Sequence, residues 1–185
     1  MALTRLGPNQ SVNLASNVTG ALPIANGGTA LTSGFVNGVA NPGKVLQVVS
    51  AASIANNTTS ATSYEDIPNL SVSITPSAAS SKILVQFVTY VSNTHGNTWW
   101  HRLLRDSTAL NEAAGSSSID AGGDNASAWN RNKGNNTYLD SPNSTSALTY
   151  KLQWKVDGNV VCLNQVGSAT SRGGGSTITV MEIGA

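Results

Sequence analysis

LTYKLQWKVD, residues 148–157, is the stretch that decides the fold. Its apolar and aromatic residues alternate with polar ones, so Leu152 and Trp154 point to one side while Lys151 and Lys155 point to the other. Alternation with a period of two is typical of a β-strand that has one buried face. We therefore predict a strand here and place Trp154 in the core.

The residues that follow extend the same interpretation to the C-terminus. Asp157-Gly158 is a strong hairpin signal, which predicts that residues 159–166 turn back and pair with 148–157. STITVMEIG, 176–184, predicts a last strand, and Glu182 within it predicts a salt bridge or a subunit contact because its neighbours are apolar.

Upstream, further strands are predicted by short β-rich runs that stop at turn residues. KILVQFVTYVS, 82–92, carries β-branched and aromatic residues on both faces, which is typical of a strand covered on both sides. No segment has a helical pattern, so we predict an all-β protein whose residues 43–185 form an antiparallel β-sandwich head of jelly-roll type. The other predicted strands are 44–50, 61–67, 69–76, 99–106 and 127–131, with long loops in the rest of 107–136.

The composition excludes several classes of protein. Only 10% of residues are charged and the net charge is +1, so no basic footprint for nucleic acid is present. No window approaches the ~18 apolar residues of a membrane-spanning helix, and MALTRLGPNQ lacks the apolar core of a signal peptide. We therefore expect no membrane insertion and synthesis in a cytoplasm. Cys162, the single cysteine, is expected to pack as a small hydrophobe.

The first 42 residues differ from the rest. Residues 1–16 are polar and predict an extended arm, and residues 17–42 predict a shaft and linker. Within the shaft, NVTGALPIANGGTAL (17–31) has spaced apolar residues among Pro23 and several glycines, which makes a helix unfavourable. So short a segment has little of its own chain to bury against, so we predict an oligomerising element packed against its copies. Its apolar residues are Val18, Leu22, Ile24 and Leu31.

Two regions resemble proteins of bacteriophage virions. NVTGALPIANGGTAL resembles an element of the shafts of many phage tail-fibre proteins. The C-terminal part resembles a family of small virion fibre or fibre-tip proteins of phages that infect aquatic bacteria, cyanophages included. The matching stretches are GKVLQVVS (43–50), LSVSITPSAASSKILV (70–85), RLLRD (102–106), YLDSPNSTSALTYKLQW (138–154) and STITVMEIGA (176–185).

The resemblance implies a non-enzymatic, homotrimeric virion fibre located on the tail or the capsid surface. Residues 1–16 would anchor it to other virion proteins, and the β-rich head would contact the host surface through loops at 93–101 and 112–136. The alternative is a capsid decoration or cement protein, or a head fibre without receptor binding. Neither alternative needs a cofactor, and we predict none.

Aromatic residues supply the candidate receptor site. Trp99, Trp100 and Trp129, with His95 nearby, offer faces on which sugars stack and polar groups that bind hydroxyls. Because neighbours in a strand face opposite sides, one of Trp99 and Trp100 belongs to the core and the other faces outward or lies at a subunit interface. The alternative is that these tryptophans only fill the core and the trimer seam.

Catalytic and metal sites are not predicted. Glycoside hydrolysis needs two carboxyl groups at a defined separation, and most of the nine acidic residues are explained by strand ends and turns. No serine lies in a nucleophile elbow. Asp120 and Asp124 are too few and too far apart for a calcium loop. The alternative metal site is three copies of His95 or His101 around a three-fold axis.

Overall fold

The computed structural model of the protein describes residues 43–93, 98–110, 120–123, 130–165 and 174–184. The predicted arm (1–16) and shaft (17–42) lie outside these residues, as do Val18, Leu22, Ile24 and Leu31. In the described part, no helix is long and apolar enough to cross a membrane.

β-Strands account for the regular structure of the described residues. They are β1 (Val45–Ser53), β2 (Asn57–Thr59), β3 (Glu65–Ile74), β4 (Lys82–Asn93), β5 (Thr98–Arg105), β6 (Thr108–Leu110), β7 (Asp120–Gly123), β8 (Asn130–Asp140), β9 (Leu148–Val156), β10 (Val161–Leu163) and β11 (Ser176–Ile183).

The strands form two antiparallel sheets. In the first sheet, β8 pairs with one edge of β4 along its whole length, while β11 and then β10 pair with the other edge. β1 pairs with β11, and β2 with β10. In the second sheet, β9 lies between β3 and β5, and β6 and β7 share the far edge of β5. The long strands β1, β3, β4, β5, β8 and β9 alternate between the sheets, so the predicted β-sandwich of jelly-roll type is confirmed.

The core lies between the inner faces of the two sheets. Along β9 every second side chain is buried, as its sequence predicts, and Trp154 is 2% exposed. The prediction that 82–92 is covered on both sides is wrong for most of β4. Ile83, Val85 and Phe87 are buried, whereas Gln86 and Val88 face outward and are exposed. Only the last three residues of β4 are buried on both faces.

The predicted hairpin between 148–157 and 159–166 does not form. β9 pairs with β3 and β5 in the second sheet, and β10 pairs with β2 and β4 in the first, so the chain crosses between sheets after Val156. Asp157 instead joins the start of β5, because its Oδ1 accepts from Thr98 N at 2.9 Å and its N donates to Thr98 O. Local turn residues therefore permit a hairpin here, but both edges of β9 are already paired.

Other predicted strand bounds also differ. Residues 61–67 and 69–76 contribute to one strand, β3, whose register shifts between Asp66 and Ser71, and Asn69 in that shift has φ 63°. β8 begins at Asn130, so only the end of the predicted strand 127–131 lies in it, and 127–129 lie outside the described residues. The remainder of β8, expected to be loop up to 136, is strand.

Two buried carboxylates bind their neighbours inside the sandwich. Asp140 on β8 accepts two hydrogen bonds from Arg105 Nη1 (2.8 and 2.7 Å) and one from the Tyr150 hydroxyl (2.6 Å), which ties the first sheet to the second. Burial and the adjacent Asp140 carboxylate raise the pKa of Tyr150. Burial works against the charge of Arg105, but its hydrogen bond to Asp140 raises its pKa overall.

Glu182 is the second of these carboxylates and is fully buried. Its Oε1 accepts from Ser77 N (2.7 Å) and Ser77 Oγ (2.6 Å), and its Oε2 accepts from Gln47 Nε2 (2.6 Å). Burial alone would raise the pKa of Glu182, but these hydrogen bonds and one with Ser81 lower it to about 2. The predicted salt bridge or subunit contact is wrong, since the partners are neutral donors of the same chain.

Candidate functional site

The two adjacent tryptophans lie on opposite faces of β5, as the alternation requires. Trp99 is 2% exposed and packs in the core beside His101, with ring centroids 4.7 Å apart. Trp100 is half-buried on the outer face of the second sheet. The candidate Trp99 therefore cannot contact a receptor, and Trp100 can.

Gly122 on the edge strand β7 accommodates the inward tryptophan. It pairs with Trp99, and a Cβ on Gly122 would lie 2.5 Å from Cζ2 of that indole. No side chain fits there, so the glycine is what allows β7 to pair with β5 over the ring.

On the outer face, Lys155 lies between two aromatic rings. β9 places Lys155 beside Trp100 of β5, and its Nζ is 5.0 Å from the Trp100 ring and 4.8 Å from the Tyr64 ring. The guanidinium carbon of Arg102 lies 4.1 Å above the same Tyr64 ring. We call Tyr64, Trp100, Arg102 and Lys155 the Trp100 platform.

A row of hydrogen bonds borders the Trp100 platform. Arg102 donates from Nε (3.2 Å) and Nη2 (2.9 Å) to Gln153 Oε1. Gln153 Nε2 then donates to Asp66 Oδ1, and Lys151 Nζ binds Asp66 Oδ2, both at 2.7 Å. The hydrogen bond from Lys151 lowers the pKa of Asp66, against the opposing effect of burial. Asp66 is thus occupied by Lys151 and Gln153. Among the described residues of the platform and of this border, three are cations (Arg102, Lys151 and Lys155) and one is a carboxylate (Asp66).

The other predicted site residues do not join this surface in the described structure. His95 and Trp129 lie outside the described residues. His101 is fully buried between Trp99 and Phe87, so the alternative metal site built from three copies of His101 is wrong. In the part of the chain that the structure describes, no group of three His, Cys, Asp or Glu residues could hold a metal. Cys162 is buried and is a free thiol, as expected, and burial raises its pKa.

The predicted contact loops are partly strand. Residues 98–101 belong to β5, 120–123 to β7 and 130–136 to β8. Sequence reasoning missed Tyr64, Arg102 and Lys155 as members of a surface. Alternation alone places Arg102 and Lys155 outward, which was a usable signal, but Tyr64 precedes β3 and reaches Lys155 only through the pairing of β3 with β9.

The first sheet presents a different outer face. Val48, Met181, Leu84 and Leu139 are successive cross-strand partners on β1, β11, β4 and β8, so they form one row across the sheet. Val48 is 57% and Leu139 51% exposed. We call these four residues the apolar row. It leaves a contiguous apolar surface uncovered within the described head, which is typical of an interaction site.

Comparison with known proteins identifies no family. No protein-family model matches, and no curated protein matches. Among solved structures, the chain is similar to Eiger TNF from S. frugiperda (9% identity, TM-score 0.32, 74% of this chain and 92% of that chain). It is also similar to a chain of infectious bursal disease virus, Gx strain (12% identity, TM-score 0.36, 76% of this chain and 41% of that chain). Likenesses at this level carry no argument about function.

Proposed function

We propose that this protein is a non-enzymatic phage virion fibre, assembled as a homotrimer, whose head attaches to a glycan on the host surface. The observation that carries the proposal is the contrast between the outer faces of the head. One face has the exposed apolar row, and the other has the Trp100 platform. The resemblance of residues 17–31 to phage fibre shafts supports the assignment to a virion.

In the proposed trimer, the apolar row of each chain packs against the other copies. The row lies close to the point where the chain enters the head, because Gly43 N donates to Gly184 O and Gly184 N to Lys44 O beside the start of β1. Val48 is four residues beyond Lys44, about 13 Å along an extended strand. In the proposed homotrimer, the apolar rows of neighbouring heads cover one another. Burial of exposed Val and Leu side chains stabilises such an assembly.

The trimer is tested by sedimentation of the full chain. We expect a trimer for the natural sequence and a loss of at least tenfold in association constant for Val48→Asp with Leu139→Asp, since both charges would be buried without partners. Ile54→Asp is the matched control, because Ile54 is 62% exposed but lies outside the row. A monomeric natural chain, or equal effects of control and row variants, contradicts the proposal.

The second candidate is a capsid decoration or cement protein, or a head fibre without receptor binding. The apolar row is compatible with it, but it leaves the cationic and aromatic Trp100 platform without a role. The platform therefore favours attachment.

A further inference from the structure

We propose that the Trp100 platform binds an acidic saccharide, with a sugar ring stacked on Trp100 and a sugar carboxylate bound by Lys155. This inference deepens the proposed glycan attachment and rests on it. It depends on the positions of four side chains on the outer face of the second sheet.

The aromatic faces specify a ligand with flat, weakly polar surfaces. Lys155 of β9 is the cross-strand partner of Trp100 of β5, on strands about 4.8 Å apart, and its Nζ also lies 4.8 Å from the Tyr64 ring. The faces of pyranose rings carry C–H groups that pack on the electron-rich face of an aromatic ring. The partly exposed Trp100 ring therefore offers a stacking place beside a positive charge, whereas Arg102 and Lys155 already lie over the Tyr64 ring.

Lys155 is the residue that favours a ligand with an acidic group. Among the described residues, its Nζ is placed over the two rings and no carboxylate lies within ion-pair distance. The nearest acid in the neighbouring row, Asp66, is bound by Lys151 and Gln153. A ligand carboxylate would therefore add the counter-ion that Lys155 lacks among the described residues, in a surface where the aromatic rings exclude water from one side.

Arg102 positions the platform. Its guanidinium lies over the Tyr64 ring while it donates twice to Gln153, so it holds the tyrosine in place beside Lys155.

Stacked aromatic rings and cations also occur in proteins that bind single-stranded nucleic acid. That ligand is disfavoured here, because such proteins use an extended basic groove and this chain has a net charge of +1 with Asp66 inside the surface.

The test is calorimetric titration of the full chain with a hexamer of galacturonic acid and with its methyl ester, which removes the charge and keeps the sugar. We expect the acid to bind about tenfold more tightly than the ester, as one favourable ion pair provides. Lys155→Gln should remove that difference, chiefly by weakening the binding of the acid. Trp100→Ala should weaken both ligands about tenfold or more.

Lys133→Gln is the matched control. Lys133 Nζ lies 5.0 Å from the Tyr90 ring on the first sheet, so it is a lysine in the same kind of ring contact outside the platform. It should bind both saccharides as the natural chain does. Equal affinity for acid and ester, no binding of either, no effect of Lys155→Gln, or tighter binding of a thymidine decamer would each overturn the inference.

Failure of the inference and failure of the proposed function are separable. Purified chain is added to host cells before particles that carry this protein, and adsorption is counted. If the chain blocks adsorption but Lys155→Gln blocks it equally well, the acidic ligand is wrong and attachment stands. If the chain binds the acidic hexamer but does not block adsorption, the ligand class stands and attachment is wrong.

Discussion

The stability of the head depends on pH through one side chain, that of Glu182. Its pKa is about 2 in the folded protein against an ordinary value of 4.5, because the folded chain supplies hydrogen bonds that favour the charged form. A carboxylate with a lowered pKa stabilises the folded state above its unfolded pKa. That stability is lost as the pH falls from about 4.5 towards 2.

We therefore expect Glu182→Gln to be less stable than the natural chain at pH 7. The amide has one acceptor where the carboxylate has two, so a donor from Ser77 or Gln47 is left unpaired, at a cost of roughly 1–3 kcal/mol. The difference in free energy of unfolding should shrink as the pH falls below 4.5. Urea unfolding at several pH values measures it.

Glu65→Gln provides the comparison, since Glu65 is exposed at the start of β3. We expect it to change the free energy of unfolding by less than about 0.5 kcal/mol. A pH-independent difference for Glu182→Gln would show that the carboxylate acts by shape and not by charge.

At the scale of an element, the pairing of β7 with β5 depends on the residue at position 122. Its pairing with β5 brings Gly122 over the Trp99 ring, which leaves no room for a methyl group. We expect Gly122→Ala to lower the free energy of unfolding by about 1–3 kcal/mol, the cost of overpacking, and to alter the near-ultraviolet signal of the tryptophans.

Gly175→Ala is the control for that variant. A Cβ there would meet Ile54 Cγ2 at 3.5 Å, an ordinary contact, so stability should change by less than about 0.5 kcal/mol. If the two variants unfold alike, Trp99 does not lie against β7.

β8 is a strand in a segment whose sequence predicts a loop. Its sequence, NRNKGNNTYLD, has few β-branched or aromatic residues and reads as loop. The strand forms because its backbone pairs with β4 from Asn130 to Asp140, and polar side chains suit a strand with one described partner at a sheet edge. Backbone pairing of that kind leaves little trace in residue types.

At the scale of the whole molecule, the two outer faces of the head predict where the protein lies on the particle. A trimer closed over the apolar rows leaves the Trp100 platforms on the opposite, outward faces. We expect antibody-labelled copies at the tail of the intact particle, where outward platforms can meet a host surface. Electron microscopy of labelled particles measures this.

Copies found on the capsid shell alone, with adsorption unchanged by the label, would support the decoration protein instead. Particles in which the label blocks adsorption would support attachment. The two readouts together separate location from role.

The sequence by itself determined which way side chains point within each strand. Alternation placed Trp154 inside and Lys155 outside, and put Trp99 and Trp100 on opposite faces, because successive residues of a strand face opposite sides whatever the strand pairs with. Only the tertiary structure decided which strands are neighbours. Pairing of β9 with β3 and β5, and not with β10, joins residues far apart in the chain, and no local pattern encodes that choice. The same pairing brings Tyr64 to Lys155, so the Trp100 platform exists only in the folded sheet.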